Sequence, residues 1–298
     1  RQAVQHVEQA LAVSERRACR TLSQPRGTQR YRGRRIEKDK PLIQAMKDLS
    51  RRYPRYGYRR ITALLRADGW PVNRKRVHRL WRQEGLKVPG KQRKRRRLGS
   101  SENSCTRRRA EHVNHVWTYD FLMDQTEDGR RLKLLVIADE FTRESLSIEV
   151  ARHITAGDVI ETLAYLFAVR GAPQYLRSGN GPEFIAQAIQ AWLASSGAAT
   201  LYVAPGSPWE NAYIESFNSR FRDELLNAET FACLKEAQVL VEAYRRQYNH
   251  HRPHSSLGYQ TPAAFAAACL ATAPASAGPA PPPNRTEIVD NPLLTTGT

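Results

Sequence analysis

The sequence is poor in cysteine and methionine, with four of the first and two of the second in 298 residues. Cys19, Cys105, Cys233 and Cys269 show no Cys-x-x-Cys spacing, so neither a zinc ribbon nor a disulfide framework is expected, and a reducing setting is the simpler reading. His112 and His115 have no matching cysteine pair, which argues against a zinc-binding module in that stretch. No apolar run reaches membrane-spanning length and no leader peptide is visible, so a membrane protein is not expected. The chain opens on Arg1 rather than Met, which fits a fragment, a processed chain or the downstream part of a frame-fused product equally. Acid is scarce in the first 110 residues, which hold 8 Asp and Glu against 33 Lys and Arg. The remainder reverses the balance, 21 against 14, and the whole chain carries +18. A basic arm on a mildly acidic body points to a nucleic-acid-binding half and a second half able to gather cations. The alternative, a basic arm without structure or role, fits less well because apolar periodicity persists inside it.

In residues 1–24, Val4, Val7, Leu11 and Val13 give a partial helical stripe, and a second turn-helix signal begins at Ser14. Residues 25–40 read as a basic linker. Pro41 is expected to open a helix carrying Leu42, Ile43, Met46 and Leu49. Tyr58, Ile61, Leu64 and Leu65 mark another. Asp68-Gly69-Trp70-Pro71 is a turn, and Asn73 caps a further helix with Val77, Leu80 and Trp81 inside. Two helices across a short Gly-containing turn fit a helix-turn-helix. On the second of them Arg74, Lys75, Arg76, His78, Arg79 and Arg82 would meet phosphates and base edges, the alternative being a solvated cationic face. Lys91, Arg93, Lys94, Arg95, Arg96 and Arg97, and then Arg107 to Arg109, flank a Ser/Asn-rich segment. Such runs repel and stay extended, and read as a linker gripping a DNA backbone, with a localisation signal as the alternative.

Strand-like runs follow at Val116–Met123, Leu132–Asp139 and Leu146–Val150, then a helix capped by Thr155, a strand at Gln174–Arg177, a helix at Pro182–Ser196, and a strand at Thr200–Val203. A helix is also expected over Phe231–Tyr248. Asp120 is embedded in the first strand, where an isolated charge is costly unless it has a partner or a metal. Tyr175-Leu176-Arg177-Ser178-Gly179-Asn180-Gly181-Pro182-Glu183-Phe184 is a strand breaking into a turn. From Ser207 the chain reads Ser-Pro-Trp-Glu-Asn-Ala-Tyr-Ile-Glu-Ser-Phe-Asn-Ser-Arg-Phe-Arg. Ile214, Phe217, Phe221 and Leu225 share one helical face, and Asn211, Glu215, Asn218 and Arg222 share a second. Alone, that helix is an ordinary amphipathic one with Glu215 solvated.

Together these three segments resemble the acidic motifs of DDE transposases and retroviral integrases, above all the bacterial insertion sequence family numbered three, read from two overlapping frames. The resemblance covers roughly residues 40 to 265, and 35 residues lie between positions 179 and 215, as in the family. It implies an α/β chain: an RNase H-like integrase catalytic core, a mixed five-stranded sheet with flanking helices, preceded by an all-α helix-turn-helix region. The expected parts are an N-terminal segment (1–39), a helix-turn-helix domain (40–88), a basic linker (89–112), the core (113–226), a C-terminal helical extension (227–272) and a disordered tail (273–298). Tyr248 to Tyr259 resembles the family's C-terminal signature, and its His250, His251 and His254 are expected in a packing or DNA-facing turn rather than on a metal. The resemblance further implies an insertion-sequence transposase that cuts and joins double-stranded DNA at element ends and target, works as a homo-oligomer on DNA, and sits in the bacterial cytoplasm with the nucleoid.

In the family three carboxylates hold two Mg²⁺ ions, with Mn²⁺ as a substitute. Carried over by position, Asp120 would bridge both ions and Glu215 would hold one. Gly179 stands where the family has Asp. One ion thus loses a ligand and a unit of negative charge, and neutral Asn180, one residue out of register, is a weak replacement. The expectation is a transposase by descent with activity lost or severely reduced. The alternative is a catalytically dead DNA-binding protein that occupies element ends or co-assembles with an active copy.

Overall fold

The structure, a computed structural model, describes residues 1–31, 34–89, 109–178, 187–202 and 211–272. The Gly179 turn, the Lys91 to Arg97 run, Ser207 to Glu210 and the 273–298 tail lie outside them. The chain folds as two compact units, Arg1–Val88 and Pro89–Thr298.

The first unit is helical: α1 (Gln2–Leu11), α2 (Glu15–Thr21), α3 (Arg26–Arg30), α4 (Arg34–Arg52), α5 (Tyr58–Ala67) and α6 (Arg74–Gln83). Val4 meets Ala18 and Cys19 in a small apolar cluster. The main cluster joins Leu42 and Met46 of α4 to Ile61 and Leu65 of α5 and to Val77, Leu80 and Trp81 of α6. Between α5 and α6 the chain turns through Gly69 at φ +83°, a left-handed conformation that favours glycine. The Asn73 side chain then accepts from the Arg76 N–H at 2.8 Å and starts α6.

Two expectations fail here. Residues 25–40 are not a plain linker, since they hold α3 and the start of α4. Nor does Pro41 open its helix: α4 begins at Arg34 and carries Pro41 inside. An interior proline removes one backbone hydrogen bond. Asp39, in the added stretch, is buried and pairs with Arg76 and Arg79 of α6.

The second unit is built on β1 (Val116–Gln125), β2 (Arg131–Asp139), β3 (Ser145–Ala151), β4 (Tyr175–Ser178) and β5 (Ala199–Tyr202). They form one sheet in the order β3-β2-β1-β4-β5. The first three pair antiparallel, and β4 and β5 add in parallel on the far side of β1. This is the RNase H-like mixed sheet. Helices α7 (Ala156–Arg170), α8 (Gln187–Ser195), α9 (Ala212–Phe221), α10 (Leu234–His250) and α11 (Pro262–Thr272) complete the unit. The expected Thr155 cap of α7 is present as a reciprocal capping box with Asp158.

Strand parity decides which face each residue serves. Trp117 and Tyr119 of β1, with Leu135 and Ile137 of β2, pack against α7 and α8. Leu122 of β1, with Leu132, Leu134 and Val136 of β2, packs against α9 and α10. Thr118 and Asp120 share the parity of Leu122, so they belong to the α9 face.

After Phe221 the helix widens into a π-helical turn, Arg222–Leu226, which nothing in the sequence pattern announces. Inside it Glu224 meets Arg252. Arg252 Nε donates to Glu224 Oε2 at 2.8 Å and Nη2 donates to Oε1 at 2.6 Å. The two side chains are 1% and 8% exposed, so the pair is a buried fork that ties the C-terminal signature to the end of α9. Burial disfavours the Arg252 charge, but the Glu224 contacts outweigh it and its pKa is raised. Glu224→Gln strands a buried guanidinium and should destabilise the second unit by ~3–5 kcal/mol, measured by denaturant unfolding. Replacing both partners, Glu224→Leu with Arg252→Met, should recover most of that loss; equal losses in the single and double variants would show that the pair is not what holds this turn.

Candidate functional site

Asp120 lies in the central strand, half-buried. Its Oδ1 accepts from the Phe121 N–H at 2.9 Å, and its Oδ2 accepts from the Asn218 amide at 2.8 Å. Asn218 is buried on α9. Two further ties run between the same helix face and β1. The Thr118 hydroxyl donates to Asn211 Oδ1 at 2.8 Å, and Arg222 Nη2 donates to the Met123 carbonyl at 3.3 Å. In order along both elements, Asn211 meets Thr118, Asn218 meets Asp120, and Arg222 meets Met123.

Glu215 stands on that stripe between the first two ties. It follows Asn211 by about 6 Å of helix axis and precedes Asn218 by about 4.5 Å. It is exposed, so it sits at the open margin of the α9–β1 seam. The polar stripe therefore brings Glu215 to within about one helical turn of the residue that grips Asp120. The neighbouring face of α9, about a quarter-turn round the helix, also fixes its rotation. Ile214, Phe217 and Phe221 enter the core, Phe217 packs edge-on against Tyr248 with centroids 4.8 Å apart, and Phe221 stacks on Tyr244 at 5.0 Å.

On the other flank of β1, strand β4 pairs in the register Val116↔Tyr175, Trp117↔Leu176 and Thr118↔Arg177. Arg177 is buried and ion-paired with Glu140 at 3.1 Å. The strand ends at Ser178, and Gly179 follows, outside the described residues. A cavity of about 220 Å³ opens beside Arg143, Tyr213, Arg220 and His254, but neither Asp120 nor Glu215 lines it.

Among the described residues no three His, Cys, Asp or Glu side chains converge as a metal cluster. The donors that are described still suit a hard cation. Asp120 and Glu215 supply carboxylate oxygens, the donors a hard cation takes, and Glu215 is reachable from solvent.

In the first unit Arg74, Lys75, His78, Arg79 and Arg82 are exposed on α6, and Val77, Leu80 and Trp81 hold its other side in the core. His78 stacks on Tyr58 with centroids 4.2 Å apart. Arg76 and Arg79 differ from the others because both are bonded to Asp39, a residue that the sequence pattern does not single out. Its signal was an acid between Lys38 and Lys40, which periodicity treats as surface. The Lys91 to Arg97 run, expected on DNA, lies outside the described residues. In the C-terminal signature His250 and His251 are exposed and His254 Nδ1 lies 2.9 Å from Ser256 Oγ, while the buried anchor is Arg252.

Family models for an integrase core domain match residues 110–208 and 196–262, and a model for an HTH-like domain matches residues 37–96. The chain is 38% identical over 271 residues to the 31.7 kDa protein of insertion element IS407 from Burkholderia multivorans, covering 91% of this chain and 97% of that protein. It is 37% identical to the 39.2 kDa protein of insertion element IS476 from Xanthomonas euvesicatoria, covering 90% of this chain and 76% of that one. It is 32% identical to the transposase InsD of an Escherichia coli IS2 element, covering 70% of this chain and 72% of the relative. No helix among the described residues is long and apolar enough to cross a membrane. An HTH-like unit, an integrase core on an RNase H-like sheet, and insertion-element relatives matched over most of their length make the chain a member of the DDE transposases of bacterial insertion sequence family three.

Proposed function

We propose that this chain binds the DNA ends of its insertion element and carries a phosphodiester-transfer site reduced to two of its three carboxylates, Asp120 and Glu215. The Asn218–Asp120 hydrogen bond carries the reading, because it sets the helix bearing Glu215 on the strand bearing Asp120. Asp120 and Glu215 would hold Mg²⁺, or Mn²⁺ in its place, which when bound supplies the Lewis acidity that activates an attacking water or 3′-hydroxyl and stabilises the leaving oxygen. Asn218 and the Phe121 N–H fix the direction of the Asp120 carboxylate. Glu215 adds the second negative charge at the seam's open edge. Gly179 adds no oxygen, so the site falls a ligand short. DNA cleavage and strand transfer would then be lost or severely reduced.

That deficit favours a second reading, a DNA-binding protein that occupies element ends or joins an active copy without cutting. In either case the partner is double-stranded DNA, held by Arg74, Lys75, Arg76, Arg79 and Arg82 with help from Lys91, Arg93, Lys94, Arg95, Arg96 and Arg97. Two paired ends call for more than one copy on the DNA, in the nucleoid of a bacterial cytoplasm.

Restoring the acid with Gly179→Asp should raise Mg²⁺- or Mn²⁺-dependent cleavage of element-end DNA by about 10²-fold or more, with end binding unchanged. Equal, robust cleavage by both proteins would show that position 179 is not a ligand position. In the Gly179→Asp background, Asn218→Ala should lower cleavage by about 10- to 100-fold while leaving DNA affinity intact, since it frees the Asp120 carboxylate to rotate. No change in turnover would remove Asn218 from the site. Replacing Arg74, Lys75 and Arg82 by Gln should weaken binding and reduce the log K versus log salt slope by about 0.9 for each phosphate left without its cation. A slope identical to the parent's would place the DNA elsewhere.

A further inference from the structure

Asp39 is a buried acid in the unit whose task is to hold a polyanion. Its side chain is 7% exposed, and both of its oxygens are occupied. Arg76 donates to Oδ1 through Nε at 3.0 Å and Nη2 at 2.6 Å, and Arg79 donates to Oδ2 through Nη2 at 2.9 Å. Arg79 is held from a second side by Gln83, whose Oε1 accepts from Nη1 at 2.9 Å. Burial pushes the Asp39 carboxyl up, but the hydrogen bonds from Arg76 and Arg79 outweigh it and its pKa is lowered, so the group stays charged.

The arrangement is poorly explained as an ion pair that merely joins α4 to α6. The two guanidinium-bearing side chains remain 39% and 50% exposed, at a cavity of about 580 Å³ that Lys38 and Lys75 also line. A guanidinium has five N–H donors, and each of these arginines commits two of them to Asp39 or Gln83. The rest of each fork is available to DNA, in a plane set from behind. A long arginine otherwise loses considerable rotamer entropy when it binds, and a free one contacts any phosphate as readily as a base edge. One carboxylate thus trades a unit of non-specific attraction for direction.

We propose that Asp39 is a specificity-determining positioning residue, which holds Arg76 and Arg79 in the orientation that distinguishes element-end DNA from other DNA. This rests on the DNA-binding reading of the first unit. Asp39→Asn keeps the shape, removes the charge and leaves the two arginines loosely held. Its effect on discrimination should therefore be opposite in kind to its effect on general affinity.

The test uses the full chain and two duplex probes of one length: sequences enriched by the wild-type chain from a randomised pool, and the unselected pool. Asp39→Asn should reduce the ratio of the two affinities by about tenfold. Binding to the unselected pool should stay equal or tighten, with a salt slope equal or steeper. Arg79→Lys, which keeps the charge and removes the fork, should lower the ratio with the unselected-pool slope unchanged, and it serves if Asp39→Asn does not fold. An unchanged ratio in the folded variants, or equal losses on both probes with a lowered melting temperature, would overturn the positioning role and leave Asp39 as a structural pair. Failure of the wild-type chain to enrich any sequence would instead overturn the DNA-end reading itself.

Discussion

A carboxylate in the middle of a sheet is expensive to bury, and the amide of Asn218 meets this one. That hydrogen bond fixes which face of α9 lies on β1. Asn211 and Arg222 repeat the contact above and below it, so the helix can neither slide nor roll without breaking three ties. Glu215 takes its place from that constraint. The adjoining aromatic side of α9 enters the core, and the Glu224–Arg252 fork clamps the point where the helix loosens into a π turn. The site's geometry is therefore held by groups that would take no part in its chemistry.

Charge is distributed on the same plan in both units. The basic first unit holds a buried acid, Asp39, between two arginines. In the second unit, whose residues 111–298 hold 21 Asp and Glu against 14 Lys and Arg, the buried arginines Arg177 and Arg252 pair with Glu140 and Glu224. In each case a minority charge is desolvated and paired, where it acts with more force than the many solvated charges around it. On the proposed function, surface lysines and arginines would set how strongly the chain is drawn to DNA. The buried pairs set which way particular groups point.

Much of this was legible in the sequence because period and parity are local. Apolar and β-branched runs marked β1, β2 and β3, and the Ile214, Phe217, Phe221 stripe faced the core as its spacing required. The order of strands and helices carried the sheet topology. Pairings far apart in the chain left no such trace. Nothing local links Asp39 to Arg76 and Arg79, so the helix was expected to begin at Pro41 when it begins at Arg34. Glu224 and Arg252 lie 28 positions apart, which is why the neighbouring histidines stand out in the sequence and the arginine that anchors the turn does not. Asn218 was visible as an amide one turn from Glu215, but its bond to Asp120 spans 98 positions and needed the fold.

On the proposed function, the Asp120 strand, the Glu215 helix and position 179 would form one cation site with one wall missing. Mn²⁺ binding, followed by the loss of the free-ion electron paramagnetic resonance signal, tests it without any need for turnover. Gly179→Asp should bind Mn²⁺ more tightly than the parent chain, and adding Asp120→Asn or Glu215→Gln to it should abolish the gain. A gain that survives both substitutions, or no gain at all in a folded Gly179→Asp protein, would contradict the account.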